Sequence, residues 1–134
     1  MDAALRLREE VFCGEQGVDP AAERDGRDPE ALHLVALREG ELVATCRLVF
    51  DGRVARLGRM AVASAARRAG IGMALLEVAD REAGARGARR IELHAQTRVE
   101  GLYASAGYRP YGERFEEQGI EHVAMEKRIA LPGA

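Results

Sequence analysis

Tryptophan is absent from this chain of 134 residues, and aromatic side chains make up only 4% of it. Its core must therefore rest on Leu, Val, Ile, Ala and Met. No apolar run is long enough to span a bilayer, so no membrane role is expected. Cysteine is scarce: Cys13 and Cys46 stand far apart and form no Cys-x-x-Cys pair. No signal peptide opens the sequence, so two reduced thiols in a cytoplasmic protein are expected. Cys46 lies in a strand-like run and reads as core, and both thiols read as packing rather than as nucleophiles. An excess of one sign of charge is also missing. The formal net charge is -2 with both signs mixed, which gives no electrostatic case for nucleic acid. His33, His94 and His122 show no compact His-x-His or His-Glu-x-x-His spacing, so no metal is expected.

What is present fits one α/β domain over residues 1–134, with 47% hydrophobic and 31% charged residues. Residues 2–15 read as a helix that Asp2 can cap, with Leu5, Val11 and Phe12 on a partial apolar face. Gly17 and Pro20 end it, and the charged stretch from Ala21 to Pro29 reads as a loop. Three strands follow, at 32–37, 42–50 and about 53–62, with turn signals at Arg38-Glu39-Gly40 and Asp51-Gly52, and they predict an antiparallel meander. Ile71, Leu75 and Val78 then recur at helical spacing, which predicts a helix over 70–84. A strand over 90–95, a helix over 99–106, a short strand over 108–111 and a strand over 121–128 complete a mixed sheet. The third strand, the helix and the fourth strand form a parallel crossover.

The most informative segment is Arg67-Arg68-Ala69-Gly70-Ile71-Gly72, at the joint between strand and helix. Its glycines permit unusual backbone angles and close approach. The helix start offers free N–H groups and a favourable dipole, and Arg67 and Arg68 add charged donors. Read on its own, the segment is either an anion or phosphate site or a set of simple caps and turns. It is not a Walker A loop, because Lys and Ser/Thr do not follow the glycines, and it is not a Gly-x-Gly-x-x-Gly dinucleotide loop.

The segment resembles motif A of the GNAT superfamily of N-acetyltransferases, with Arg67, Gly70 and Gly72 at the motif's fixed positions. Gly58-Arg59-Met60-Ala61-Val62 resembles the strand before that motif, and Gly101-Leu102-Tyr103-Ala104-Ser105-Ala106-Gly107-Tyr108 resembles a later family segment. Residues 8–17, Leu93-His94-Ala95-Gln96 and residues 112–125 are similar to words of the ElaA/YjcF-like subgroup. The resemblance covers nearly the whole chain. It implies a GNAT-like α/β fold: a mixed, mostly antiparallel central sheet with a β-α-β cofactor core. The chain starts directly at the first helix, without the family's opening edge strand.

The resemblance also implies a reaction. Acetyl-CoA would be the cosubstrate, an amine of a small molecule or peptide the acceptor, and a homodimer one assembly common among relatives. Met60, Ala61 and Val62 would offer backbone groups to the pantetheine arm, in a gap where residues 53–62 and 90–95 splay apart. Arg67, Arg68, Ala69, Gly70, Ile71 and Gly72 would hold the pyrophosphate. Tyr103 occupies the position of the general acid, although a bare tyrosine there reads more readily as a phenol hydrogen-bonded to the sheet. For the base, His94 is the first choice and Glu15 the second; Gln16, Gln96, His122 and Glu116 are further polar candidates. His94 reads equally as a group that orients Gln96 or the loop 112–119. Glu23, Asp25 and Asp28 suit a cationic acceptor if they face the pocket, and otherwise form a solvated loop, the preferred reading. A non-catalytic acyl-CoA-binding or sensing module is the alternative function.

Overall fold

A computed structural model describes residues 2–19, 23, 26–67 and 70–129. Helix α1 (Asp2–Arg8) leads into a π-helical stretch, Glu9–Glu15. A 3-10 turn at Asp28–Glu30 precedes strands β1 (Leu32–Arg38), β2 (Glu41–Asp51) and β3 (Val54–Val62). A second 3-10 turn, Ser64–Ala66, leads to α2 (Ile71–Ala85). Then come β4 (Arg90–Gln96), a 3-10 turn at Thr97–Val99, α3 (Glu100–Ser105), β5 (Arg109–Glu117) and β6 (Ile120–Arg128). The sheet order is β1-β2-β3-β4-β6-β5, antiparallel throughout except where β3 runs parallel to β4. The expected mixed sheet, meander and crossover are all present.

Both faces of the sheet are covered, which is why β2 is buried continuously from Val43 to Val49. Ala44, Cys46 and Leu48 join Leu75, Leu76, Ala79 and Ala83 of α2 in the main core, together with Ile91, Leu93 and Met125. A smaller cluster packs Leu7 and Val11 against Ala61. Leu76, Ile91 and Met125 are fully buried; each contributes about 1.5–3 kcal/mol of transfer free energy. Lys127 ties the far side together: its ammonium binds Asp80 of α2, donates to the Ala106 carbonyl at 2.7 Å and lies under the Tyr108 ring.

Several expectations need correction. The first helix is α-helical only to Arg8; beyond it Gln16 N–H reaches back to the Val11 carbonyl, a wider turn that no residue of 9–13 announces. The Asp2 side chain and residues 20–22, 24 and 25 of the charged loop lie outside the described residues. The expected helix over 99–106 is α-helical over Glu100–Ser105, and Val99 closes a preceding 3-10 turn, Thr97–Val99. The expected short strand over 108–111 extends to Glu117, so the polar stretch 112–119 is not a loop. Gln118 and Gly119, both with positive φ, form a two-residue hairpin turn into β6. The charges on both faces of β5 conceal it in the sequence and suit an edge strand, which they protect from further pairing.

Candidate active site

β3 and β4 pair only over Val54–Arg56 with Arg90–Glu92. β3 then follows β2 as far as Val62, while β4 follows β6 as far as Gln96. Each strand keeps its outer partner and loses its inner one, so the two diverge as a wedge. Pairing of Thr45 with Ala61 but of Arg47 with Gly58 leaves an extra residue on β3, and Arg59 there has φ +52°. Such a bulge bends and twists its strand, turning β3 away from β4. The wedge opens into a cavity of about 1210 Å³.

Backbone donors face this cavity from two directions. Ala63 N–H points to Val43 of β2, so alternation turns the backbone of Val62, and of Met60 behind the bulge, into the wedge. Ala61 is turned instead to β2, opposite Thr45, and its side chain is buried. At the start of α2, Gly70 has φ +77° and no side chain caps the helix. The first helical bond runs from Ala74 N–H to the Gly70 carbonyl. The N–H groups of Ile71, Gly72 and Met73 therefore lack helical partners, at the positive end of the dipole. All three residues line the cavity. A Cβ on Gly72 would sit 3.4 Å from Leu102 of α3, so the small residue keeps the cavity wall close.

Arg67 is not simply a free donor above this helix start. Its Nε donates to the Val62 carbonyl at 3.0 Å and its Nη2 to Glu15 at 2.8 Å. Glu15 thereby belongs to a side hollow with Gln16, Arg67, Gln96, Arg98 and Ile120, and does not line the main cavity. Across the wedge, Gln96 donates to Gln16 at 2.8 Å, and Arg98 donates to Gln96 at 3.0 Å. The end of the first helical segment thus bridges the diverging strands, with Glu15 on the β3 side and Gln16 on the β4 side.

Tyr103, on α3, is buried against the cavity and meets Tyr108 edge-on. Its hydroxyl has no hydrogen-bond partner among the described residues, so the expected alternative of a phenol bonded to the sheet is not what the structure shows. Burial, and then the neighbouring Cys46, push its pKa up to about 12, so it is a neutral donor at physiological pH. His94 and Gln96 share the cavity-facing side of β4. His94 does not orient Gln96: its Nδ1 lies 3.0 Å from Glu117 of β5. His122 also reaches Glu117, while Glu116 is exposed opposite Glu121.

Beneath α1, the described carboxylates of the charged stretch, Glu23 and Asp28, are drawn inward rather than solvated. Arg8, 1% exposed, donates to Glu23 at 2.5 Å and to Asp28 at 2.7 Å, and Arg47 reaches Asp28 at 3.1 Å. These carboxylates are engaged by guanidinium groups, so they do not offer the acceptor an open acidic surface.

Of the residues singled out in the sequence, Met60, Val62, Arg67, Gly70, Ile71, Gly72, His94 and Tyr103 line one cavity. Ala61 and Glu15 do not line it, and Arg68 and Ala69 lie outside the described residues. Sequence reasoning missed Glu117 and the Gln16–Gln96 bridge. The signal for Glu117 was the Gln118-Gly119 turn, which places residues 115 and 117 on one face of a strand.

Comparison with known proteins bears on the family and the fold. A family model described as an acetyltransferase (GNAT) domain matches residues 3–129. An uncharacterized N-acetyltransferase of Bacillus subtilis, YjcF, is 33% identical over 125 residues, spanning 92% of this chain and 89% of that protein. The crystal structure of Escherichia coli ElaA superposes with a TM-score of 0.83 at 29% identity, covering 93% of this chain and 87% of that one. An acyl-CoA N-acyltransferase from Pseudomonas aeruginosa gives a TM-score of 0.83 at 34% identity, covering 93% and 88%.

Proposed function

The chain belongs to the GNAT acetyltransferase family, in its ElaA/YjcF-like subgroup, and from that premise we propose that it moves an acetyl group from acetyl-CoA to an amine of a small molecule or peptide. The observation that carries this reading is the wedge itself. An uncapped helix start, the free edge of β3 and a buried neutral tyrosine all border one cavity.

The residues present fit the cosubstrate. The N–H groups of Ile71, Gly72 and Met73 suit phosphate oxygens, and Gly70 supplies the turn into them. Arg68 and Ala69 complete that loop in this proposal. The edge of β3 at Met60 and Val62 suits an extended, amide-bearing arm. When bound, acetyl-CoA supplies the thioester that the acceptor amine attacks. The Val62 N–H, turned into the wedge, steadies charge on the thioester oxygen in this reading. Tyr103 donates a proton to the departing sulfur, and His94 takes one from the acceptor amine. Glu15, tied to Arg67, is the weaker base. Its carboxylate instead couples the loop to the first helix.

Thiol release measured with acetyl-CoA and an amine panel tests the reading. Turnover separates an enzyme from an acyl-CoA-binding module, because both bind the cosubstrate. The Arg67→Glu, Gly70→Asp double variant is expected to weaken coenzyme A binding about 10-fold or more, by placing two carboxylates at the helix start. Unaltered coenzyme A affinity in that variant would remove the loop from the site.

A further inference from the structure

Glu117 stands between two imidazoles drawn from two other strands. His94 of β4 places Nδ1 3.0 Å from Glu117 Oε1, and His122 of β6 places Nε2 3.7 Å from Oε2. The opposite nitrogen of His122, Nδ1, lies 2.7 Å from the Ile120 carbonyl. A carbonyl oxygen only accepts, so His122 Nδ1 carries the hydrogen and Nε2 is turned to the carboxylate. An ionised carboxylate also only accepts, so His94 Nδ1 donates to it. The ring lone pair of His94 is then on Nε2. Phe115 fixes both rings, edge-on to His94 at 5.0 Å and stacked with His122 at 5.9 Å. His94, Glu117 and His122 line the same cavity as Tyr103. Among the described residues they are not arranged to hold a metal ion. Of the other charged groups of this hairpin, Arg114 pairs with Glu121 and with Glu100 of α3, and Lys127 with Asp80 of α2.

We propose that Glu117 is a positioning residue: its carboxylate accepts from His94 Nδ1–H, so that Nε2 is the proton acceptor for the amine. This rests on the transferase reading above. In the step, the N–H bond of the acceptor breaks, an Nε2–H bond forms, and the electron pair stays on the acceptor nitrogen. Glu117 faces the imidazolium that results. His94 is about half exposed, with 53% of its side chain accessible, so the proton passes from Nε2 to solvent.

Two measurements test this on the whole chain. Ring nitrogen NMR of histidine-labelled protein, at about pH 9 where imidazoles are neutral, should show His94 with the hydrogen on Nδ1. Glu117→Ala should move it toward Nε2, with His122 unchanged because Ile120 still holds it. A His94 already carrying its hydrogen on Nε2 in the parent protein overturns the assignment. In thiol-release kinetics, Glu117→Gln should lower kcat about 10- to 100-fold with KM for acetyl-CoA within about twofold. His94→Ala should recover turnover on addition of free imidazole. Glu117→Gln with parental kcat overturns the positioning role while leaving the transferase reading intact. Coenzyme A binding without turnover of any amine by the parent chain overturns the transferase reading, and the catalytic role of Glu117 with it.

Discussion

Tyr103 and Gly70 are the single residues at which the proposed transfer is most directly tested. Because burial and Cys46 hold the Tyr103 pKa at about 12, its hydroxyl stays protonated across the working range. Tyr103→Phe keeps the ring packing against Tyr108 and removes only the donor. It should lower kcat about 100-fold while coenzyme A affinity stays within about twofold. The parent kcat profile should show no fall from loss of this proton below about pH 10, a range that stopped-flow thiol release covers. Equal kcat for the phenylalanine variant would remove the acid role. At Gly70 the constraint is conformational. A Cβ there meets nothing within 4 Å, yet φ is +77°. Gly70→Ala should therefore cost about 1–2 kcal/mol through the left-handed backbone, and Gly70→Asn less. Chemical denaturation ranks the two variants, and equal cost would refute a backbone origin.

At the scale of elements, the first helix is held to the sheet by charge as much as by apolar contact. Arg8 is buried between Glu23 and Asp28, and Asp28 also accepts from Arg47. Burial pushes the Asp28 pKa up, but the hydrogen bonds and charges of Arg8 and Arg47 outweigh it and leave it below the usual carboxylate value. A lowered folded pKa gives stability that is present above the unfolded value, near pH 4, and is lost as the pH falls further. Acid titration should therefore release α1 below about pH 4. Arg8→Met, which takes the buried guanidinium away from Glu23 and leaves Asp28 to Arg47, should cost about 3–5 kcal/mol at neutral pH, read by urea unfolding. A cost near zero would show that the cluster is neutral to folding. None of this network was legible in the sequence, because its partners are 15 and 20 residues apart and meet only in the folded chain. The strands, the crossover and the Gly70 turn were legible because periodicity and glycine placement are local signals. β5 was not, since an edge strand with charges on both faces has no alternation to read. Part of the cavity lining, from Met60 and Val62 to Gly70, Ile71, Gly72 and Tyr103, was legible as a set in residues 58–72 and 101–108. The Glu117 contact needed the hairpin that brings residue 117 beside residue 94.

The whole molecule is two half-sheets joined at the narrow end of the wedge by the short β3–β4 pairing and packed on one core. That core encloses three acidic protons from different parts of the chain: Cys46 of β2, Tyr103 of α3 and Tyr108 ahead of β5. Burial raises the Cys46 pKa from 9.0 to about 12. Burial and then Cys46 raise that of Tyr103 from 10.0 to about 12. Burial and then Asp80 push Tyr108 up further. In each case the folded state keeps a proton that the unfolded chain releases. The stabilisation is therefore complete below the unfolded values and is lost as pH climbs through the folded ones, at on the order of 1.4 kcal/mol per pKa unit. The urea midpoint should accordingly hold steady from neutral pH to about pH 9, where the unfolded thiol begins to ionise, and fall steeply toward about pH 12. Cys46→Ala removes the group with the lowest unfolded value. At some cost in packing, it should move the onset of that fall to about pH 10, where unfolded tyrosines begin to ionise. An onset that stays at the parental pH in the alanine variant would show that the thiol does not govern it. The same titration with coenzyme A present distinguishes core from site. A ligand held at the helix start adds stability at every pH without moving the onset, because its donors are backbone N–H groups that do not titrate in this range.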